Sequence, residues 1–237
     1  MRTDFSLGSC PIPPIPAAFS SLHADERELL GEKATPKRIA DFTAGRIAAK
    51  RAVHSCLALP ESEHVSILRV EAGPEAGKPY VKAGNMCTEP MTETLHISIS
   101  HADRMAYAVA SHLRIGIDHV TIEPYSDAFS NDVFAKYELE EWANWLGVGP
   151  QDELVACAGF AAKEAVLKYV GTGLRYSLPQ ITVVPVFHKQ TSDPHPFFQR
   201  RFRAALQLGS SRGELDGYFA IKDGQVIVMV IGEKTEY

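Results

Sequence analysis

A basic excess, clustered cysteines and long apolar runs are all missing from this sequence, and each absence removes a class of protein. The four cysteines, Cys10, Cys56, Cys87 and Cys157, are scattered through 237 residues with no Cys-x-x-Cys pair and no Cys/His cluster at metal-ligand spacing. They read as reduced thiols of a cytoplasmic protein, not as a disulfide framework. No stretch approaches the roughly eighteen apolar residues of a spanning helix, and no apolar run precedes Leu7-Gly8-Ser9-Cys10 to make it a lipoprotein cleavage site, so no membrane attachment is expected. A net charge of −5 and a pI near 6.0 exclude nucleic-acid binding through overall charge, which takes a basic surface. A local basic pocket is still compatible. What is present, 45% hydrophobic and 22% charged, is an ordinary globular chain with room for one large domain or two small ones.

Pro11, Pro13, Pro14 and Pro16 deny the N-terminal segment a helix and predict an extended surface run until a helix opens near Asp25. Pro36 suits the first turn of a longer helix reaching about Pro60, with an apolar face through Ile39, Phe42, Ile47, Ala49 and Val53 and a basic one carrying Arg46, Lys50 and Arg51. Arg46 and Lys50, four apart, repel slightly, a weak sign of an anion nearby. Val65 to Val70 reads as a strand, Gly73 to Pro79 as a turn-rich connection, and Gly84 to Thr92 as a polar loop. From Leu95 to His101, apolar Leu95, Ile97 and Ile99 alternate with His96, Ser98 and Ser100, the pattern of a half-buried strand. Strands Ala106–Ser111 and Ile115–Val120 follow; Asp118 interrupts the last, where an isolated charge is costly unless paired or metal-bound.

Beyond Pro124 a single amphipathic helix is expected from about Asn131 to Trp145, with Phe134, Trp142 and Trp145 among its contacts. A second runs from Asp152 to Val170 and closes at Gly171-Thr172-Gly173. Antiparallel strands at 180–187, 197–208, 218–222 and 226–231 complete the chain, the last two joined by an Asp223-Gly224 hairpin turn. Helices and strands recur in each half, which puts a boundary near Leu113 to Gly116 and divides the chain into 1–113 and 114–237.

The chain is organised around Phe160 to Lys168. Val155, Ala158, Ala162, Val166 and Tyr169 recur at helical spacing, and Glu164 and Lys168 each lie about 200° from that stripe. On its own this is a common solvated Glu/Lys pair worth about 0.2–0.5 kcal/mol. Four further stretches change its meaning: Phe42 to Ala49, Gly77-Lys78-Pro79, Ser98-Ile99-Ser100-His101 and Ile115-Gly116-Ile117-Asp118.

Together, in this order, these stretches resemble the 4′-phosphopantetheinyl transferases, in particular the group that includes the surfactin-type and enterobactin-synthase enzymes, over roughly residues 20 to 185. The resemblance implies an α/β (α+β) fold: a pseudo-twofold pair of similar subdomains, each a small, mainly antiparallel sheet with packed helices, the active site in the cleft between them. It implies transfer of phosphopantetheine from coenzyme A to a serine of an apo acyl or peptidyl carrier protein, with adenosine 3′,5′-bisphosphate released. Mg²⁺, or Mn²⁺ as the alternative, is the implied metal. Asp118 and Glu164 are its implied ligands; Glu164, or a water it orients, takes the serine proton, and Lys168 sits against the cleaved phosphate. His101 and Ser100 are implied for the diphosphate, and Arg46, Lys78 with Pro79, and Lys50 for the 3′-phosphate or adenine end, with Lys163 also among the coenzyme contacts. Residues 1–113 thus become the coenzyme side and 114–237 the metal side of what is expected to be a monomer.

One departure stands out: most relatives read Asp-x-Glu where this chain has Asp118-His119-Val120, while some lack the second carboxylate and use water in its place. Glu123 is the nearest substitute for the missing ligand, reaching the site only if the chain turns before Pro124, and His119 is expected to face solvent on the opposite side. Val120 supports an alternative, a coenzyme-A-binding or regulatory protein that has lost the chemistry. A carrier-interaction module without coenzyme A is a third reading, against which Arg46, Lys78 and His101 argue.

Overall fold

The computed structural model describes residues 4–12, 21–31, 33–83, 95–171, 176–186, 195–208 and 211–233. The expected polar loop at 84–92, Pro13, Pro14, Pro16 and Thr172-Gly173 lie outside them. The chain divides into two compact units, Met1–Ile115 and Gly116–Tyr237. The first runs β1 (Ser6–Pro11), α1 (Ala24–Glu28), α2 (Pro36–Leu57), β2 (Val65–Arg69), β3 (Pro79–Ala83), β4 (His96–Ala102) and β5 (Met105–Ser111). The second follows from β6 (Arg114–Thr121), whose first two residues still belong to the first unit, through α3 (Asp127–Val133), α4 (Lys136–Leu146), α5 (Glu153–Val170), β7 (Ile181–Val186), β8 (Arg200–Leu208) and β9 (Ser211–Lys222) to β10 (Gln225–Gly232). None of the described helices is long and apolar enough to cross a membrane.

In the first unit β1, β5 and β4 form one sheet in that order and β2 pairs with β3; in the second a five-stranded sheet runs β6-β10-β9-β8-β7. Each unit has its own apolar core, one built on Ala44, Ala48, Ala49, Ala52 and Val53 of α2, the other on α5 and the tryptophans of α4. The order of elements repeats apart from one added short helix, α3, in the second unit, and so do three details of their packing. Gly8 in β1 lies so close to α2 that a Cβ would meet Ala48 O at 2.1 Å and Ala52 N at 2.8 Å, while a Cβ on Gly116 in β6 would meet Ala165 O at 1.9 Å and Tyr169 N at 2.6 Å. One residue after each glycine, the strand carbonyl accepts from a helix cation: Ser9 O from Arg51 at 2.6 Å, Ile117 O from Lys168 at 3.1 Å. A buried glutamate caps the preceding helix in both units. Glu26 accepts from the His23 and Ile67 amides, and Glu138 from those of Ala135 and Val183.

Local chemistry sets the helix ends. Thr35 and Asp152 cap α2 and α5 through the Arg38 and Leu154 amides, and α5 closes at Gly171 with φ 75°. At the hairpin turn Asp223 and Gly224 have φ 51° and 75°, and Lys222 pairs with Gln225. Two expectations need correction. The single helix expected over Asn131–Trp145 is two, because Ser126 caps the first at the Phe129 amide and Glu138 caps the second at Ala135, leaving Phe134 extended between them. The N-terminal segment is a strand and not only a surface run: Ser6–Pro11 pairs antiparallel with Met105–Ala110, and Phe5 and Cys10 are buried.

Candidate active site

Asp118 owes its position to Gly116. Side chains alternate along a strand, so the glycine that touches α5 puts Asp118 and Val120 on the same helix-facing side of β6. From Val155 to Val170 every residue of α5 is buried except Ala156, Phe160, Glu164 and Lys168. These four recur at a spacing of four and make a single part-open stripe along the helix. The apolar stripe expected opposite is the buried one, with Val155, Ala158, Ala162 and Val166 at 0% exposure.

Lys168 and Asp118 meet across this strand–helix contact, Lys168 Nζ lying 2.6 Å from Asp118 Oδ1. Lys168 therefore answers the charge on β6 and is not merely the partner of Glu164 along its own helix. Glu164 is half-buried, and its carboxyl is pushed above the ordinary 4.5, first by burial and then by the negative charge of Asp118, with Lys168 pulling the other way. Two carboxylates and one ammonium thus act on one another at a partly open surface, the kind of perturbed cluster that marks chemistry. At the next turn of the stripe, Phe160 packs with Tyr125 and Phe129 at centroid distances of 5.8 and 5.6 Å. This aromatic end of the stripe went unread in the sequence, although Phe160 stands four residues before Glu164.

Other candidates do different work. Lys163 is fully buried and donates to Glu138 Oε2 at 2.9 Å, Val133 O at 2.7 Å and Leu178 O at 3.2 Å. Its three donors are spent inside the second unit, and it is reassigned from the coenzyme contacts to the core. Lys50 is held 2.6 Å from the buried Glu26 carboxylate, which makes it the counter-charge of that helix cap. Arg46 donates to Ile67 O at 3.1 Å and stacks on Phe42 at 3.9 Å; burial lowers its pKa to about 10. Pro79 opens β3 beside Lys78, which pairs with Glu75 at 3.0 Å. In β4 Ser98 and Ser100 are buried and His101 is exposed.

His119 is 2% exposed, not solvent-facing, because the other side of β6 is also covered. Val120 packs against the core of the second unit. Glu123 has an exposed side chain, and its carbonyl accepts from Cys157 Sγ at 3.5 Å. Among the described residues no three of His, Cys, Asp or Glu gather as a metal cage, while Glu123 and Asp118 both act on the Tyr125 hydroxyl and, after burial, help raise its pKa. Trp142 and Trp145 are core: Trp142 donates to Val183 O at 2.9 Å, and both rings pack edge-on against Phe202.

Residues 114–221, which carry Asp118, Glu164 and Lys168, match the sequence profile of the 4′-phosphopantetheinyl transferase superfamily. A holo-[acyl-carrier-protein] synthase of Anoxybacillus flavithermus (strain DSM 21510 / WK1) is 34% identical over 96 residues, 40% of this chain and 74% of that protein. The chain belongs to the 4′-phosphopantetheinyl transferase superfamily.

Proposed function

We propose that the protein transfers the 4′-phosphopantetheine group of coenzyme A to a serine of an apo acyl or peptidyl carrier protein, in the manner of the surfactin-type group. The observation that carries this reading is the meeting of Asp118, Glu164 and Lys168 along the one open stripe of α5. In the reaction the serine oxygen forms a bond to the pantetheine-bearing phosphorus, the bond to adenosine 3′,5′-bisphosphate breaks, and the serine proton goes to Glu164. A half-buried carboxylate, whose proton affinity is raised first by desolvation, suits that task. Lys168 supplies positive charge where negative charge develops on phosphate.

A hard divalent cation fits the donor set. Mg²⁺ is held through one or two carboxylates, with waters and substrate phosphates filling the other positions, and Asp118 and Glu164 are two oxygen donors whose mutual repulsion a cation relieves. When bound, the ion neutralises charge on the phosphate oxygens. Arg46, Lys78, Pro79, Ser100 and His101 are the residues of the first unit proposed to hold coenzyme A. An acidic helical carrier is the proposed partner.

Incubation with coenzyme A, Mg²⁺ and an apo carrier, followed by mass spectrometry of the carrier, tests the proposal: an active enzyme adds about 340 Da, and Glu164→Gln abolishes the gain. The rival reading, a coenzyme-binding protein without the chemistry, draws on Val120 filling the side of β6 where most relatives carry a second carboxylate. Tight binding of coenzyme A with no mass gain under any divalent ion would establish that rival and end the transferase reading.

A further inference from the structure

The turn between β2 and β3 holds two charged residues in fixed relation. Val70 N donates to Lys78 O at 2.9 Å and Gly77 N to Val70 O at 2.8 Å, and Gly73 and Gly77 take φ of 93° and 90°, which favours glycine at both. Glu75 and Lys78 project from this closed turn, and one oxygen, Glu75 Oε1, accepts from both Lys78 Nζ at 3.0 Å and Arg114 Nη2 at 2.9 Å. All three side chains are partly or mostly buried. The two cations share this one oxygen, and His96 beside them feels their charge. Its pKa is pushed down to about 4, first by burial, then by Lys78 and Arg114, with Glu75 opposing and His112 adding a little.

We propose that Arg114 is a positioning residue for Lys78: by holding Glu75, it lets the Lys78 ammonium move onto the 3′-phosphate of coenzyme A. The inference rests on the reading of Lys78 as a phosphate contact. With Lys78 as its sole partner, Glu75 would become an uncompensated, partly buried carboxylate each time the lysine turned to a ligand, and that penalty would be taken from ligand affinity. Arg114 removes the penalty because its guanidinium stays on Glu75 Oε1 while the flexible lysine leaves. The dianionic phosphate monoester then meets the freed Lys78 ammonium.

The test compares coenzyme A with 3′-dephospho-coenzyme A as substrates for the full chain. Wild type prefers the phosphorylated form, and Lys78→Ala abolishes the preference; absence of the preference in wild type, or its survival in Lys78→Ala, overturns the Lys78 reading itself. Given that reading, Arg114→Ala raises KM for coenzyme A about tenfold, about 1.4 kcal/mol, with kcat and the KM for the dephospho form unchanged. Arg114→Lys keeps most of the wild-type KM, which guards against a folding defect in the alanine variant. Glu75→Gln combined with Arg114→Ala returns KM to near wild type, because no carboxylate then competes for Lys78. A double variant as weak as Arg114→Ala alone, or an Arg114→Ala KM equal to wild type, overturns the proposal; the former would mean that Arg114 touches the phosphate directly.

Discussion

Gly116→Ala separates the role of the β6–α5 contact in catalysis from its role in stability. The new Cβ would lie 1.9 Å from Ala165 O and 2.6 Å from Tyr169 N, whereas real contacts of this kind are essentially never under 3.0 Å. Both obstacles are helix backbone, which no rotamer change can move aside. Strand and helix must therefore part by about 1 Å or more, at an overpacking cost of about 3 kcal/mol, the upper end of the usual range. The same displacement pulls Asp118 away from Lys168, now 2.6 Å apart, and a misplacement of about 1 Å at a reacting centre costs on the order of 100-fold in rate. Gly8→Ala is the matched control, since its Cβ would meet Ala48 O at 2.1 Å in the unit without that cluster. Urea unfolding followed by circular dichroism should show comparable losses of stability in the two variants. Carrier modification assayed well below either transition should show the roughly 100-fold fall in kcat for Gly116→Ala only. A folded Gly116→Ala with wild-type kcat, or a Gly8→Ala equally slow, would refute the claim that this strand–helix spacing sets the site.

Three further outcomes are expected. Because the folded protein raises the Glu164 pKa above 4.5, keeping that group ionised costs stability above the raised value, and the cost fades as pH falls toward 4.5. Glu164→Gln should therefore melt higher than wild type at pH 7 in metal-free buffer, with the difference closing on acidification; a variant less stable at pH 7 would contradict the assignment. Lys163→Met strands the buried Glu138 carboxylate and should cost about 3–5 kcal/mol in urea unfolding, with Glu138→Gln added on top recovering part of the loss. Val120→Glu puts a carboxylate on the face of β6 that carries Asp118 and should tighten Mn²⁺ binding read by electron paramagnetic resonance, at about 1–2 kcal/mol of stability from lost packing.

Much of the second unit was legible because its signals are local. The apolar stripe of α5, its Asp152 cap and its Gly171 terminus all lie within the helix they define, and Asp223-Gly224 fixes its own hairpin through two positive φ values. Signals that depend on distant partners were not legible. The strand Ser6–Pro11 exists because Met105–Ala110 pairs with it, and nothing within its own residues outweighs the neighbouring prolines. Lys163 and Lys50 look like phosphate ligands in a motif, yet each is claimed by a glutamate twenty-four or twenty-five residues away. The break between α3 and α4 was hidden for a similar reason: Phe134 and Ala135 continue a helical pattern, and only the backward reach of Glu138 to the Ala135 amide interrupts it.

The two copies of the frame explain why the cluster is in the second. Counting from the contact glycines, Cys10 holds in the first unit the position of Asp118 in the second; counting along the helices, Ile47 corresponds to Glu164 and Arg51 to Lys168. The scaffold cation is kept, since Arg51 still donates to the strand carbonyl, while both carboxylates are replaced by groups that are poor ligands for a hard cation. Lys168 therefore shares with Arg51 the structural duty of tying helix to strand; where the strand offers Asp118 instead of Cys10, the same tether is also an ion pair beside Glu164.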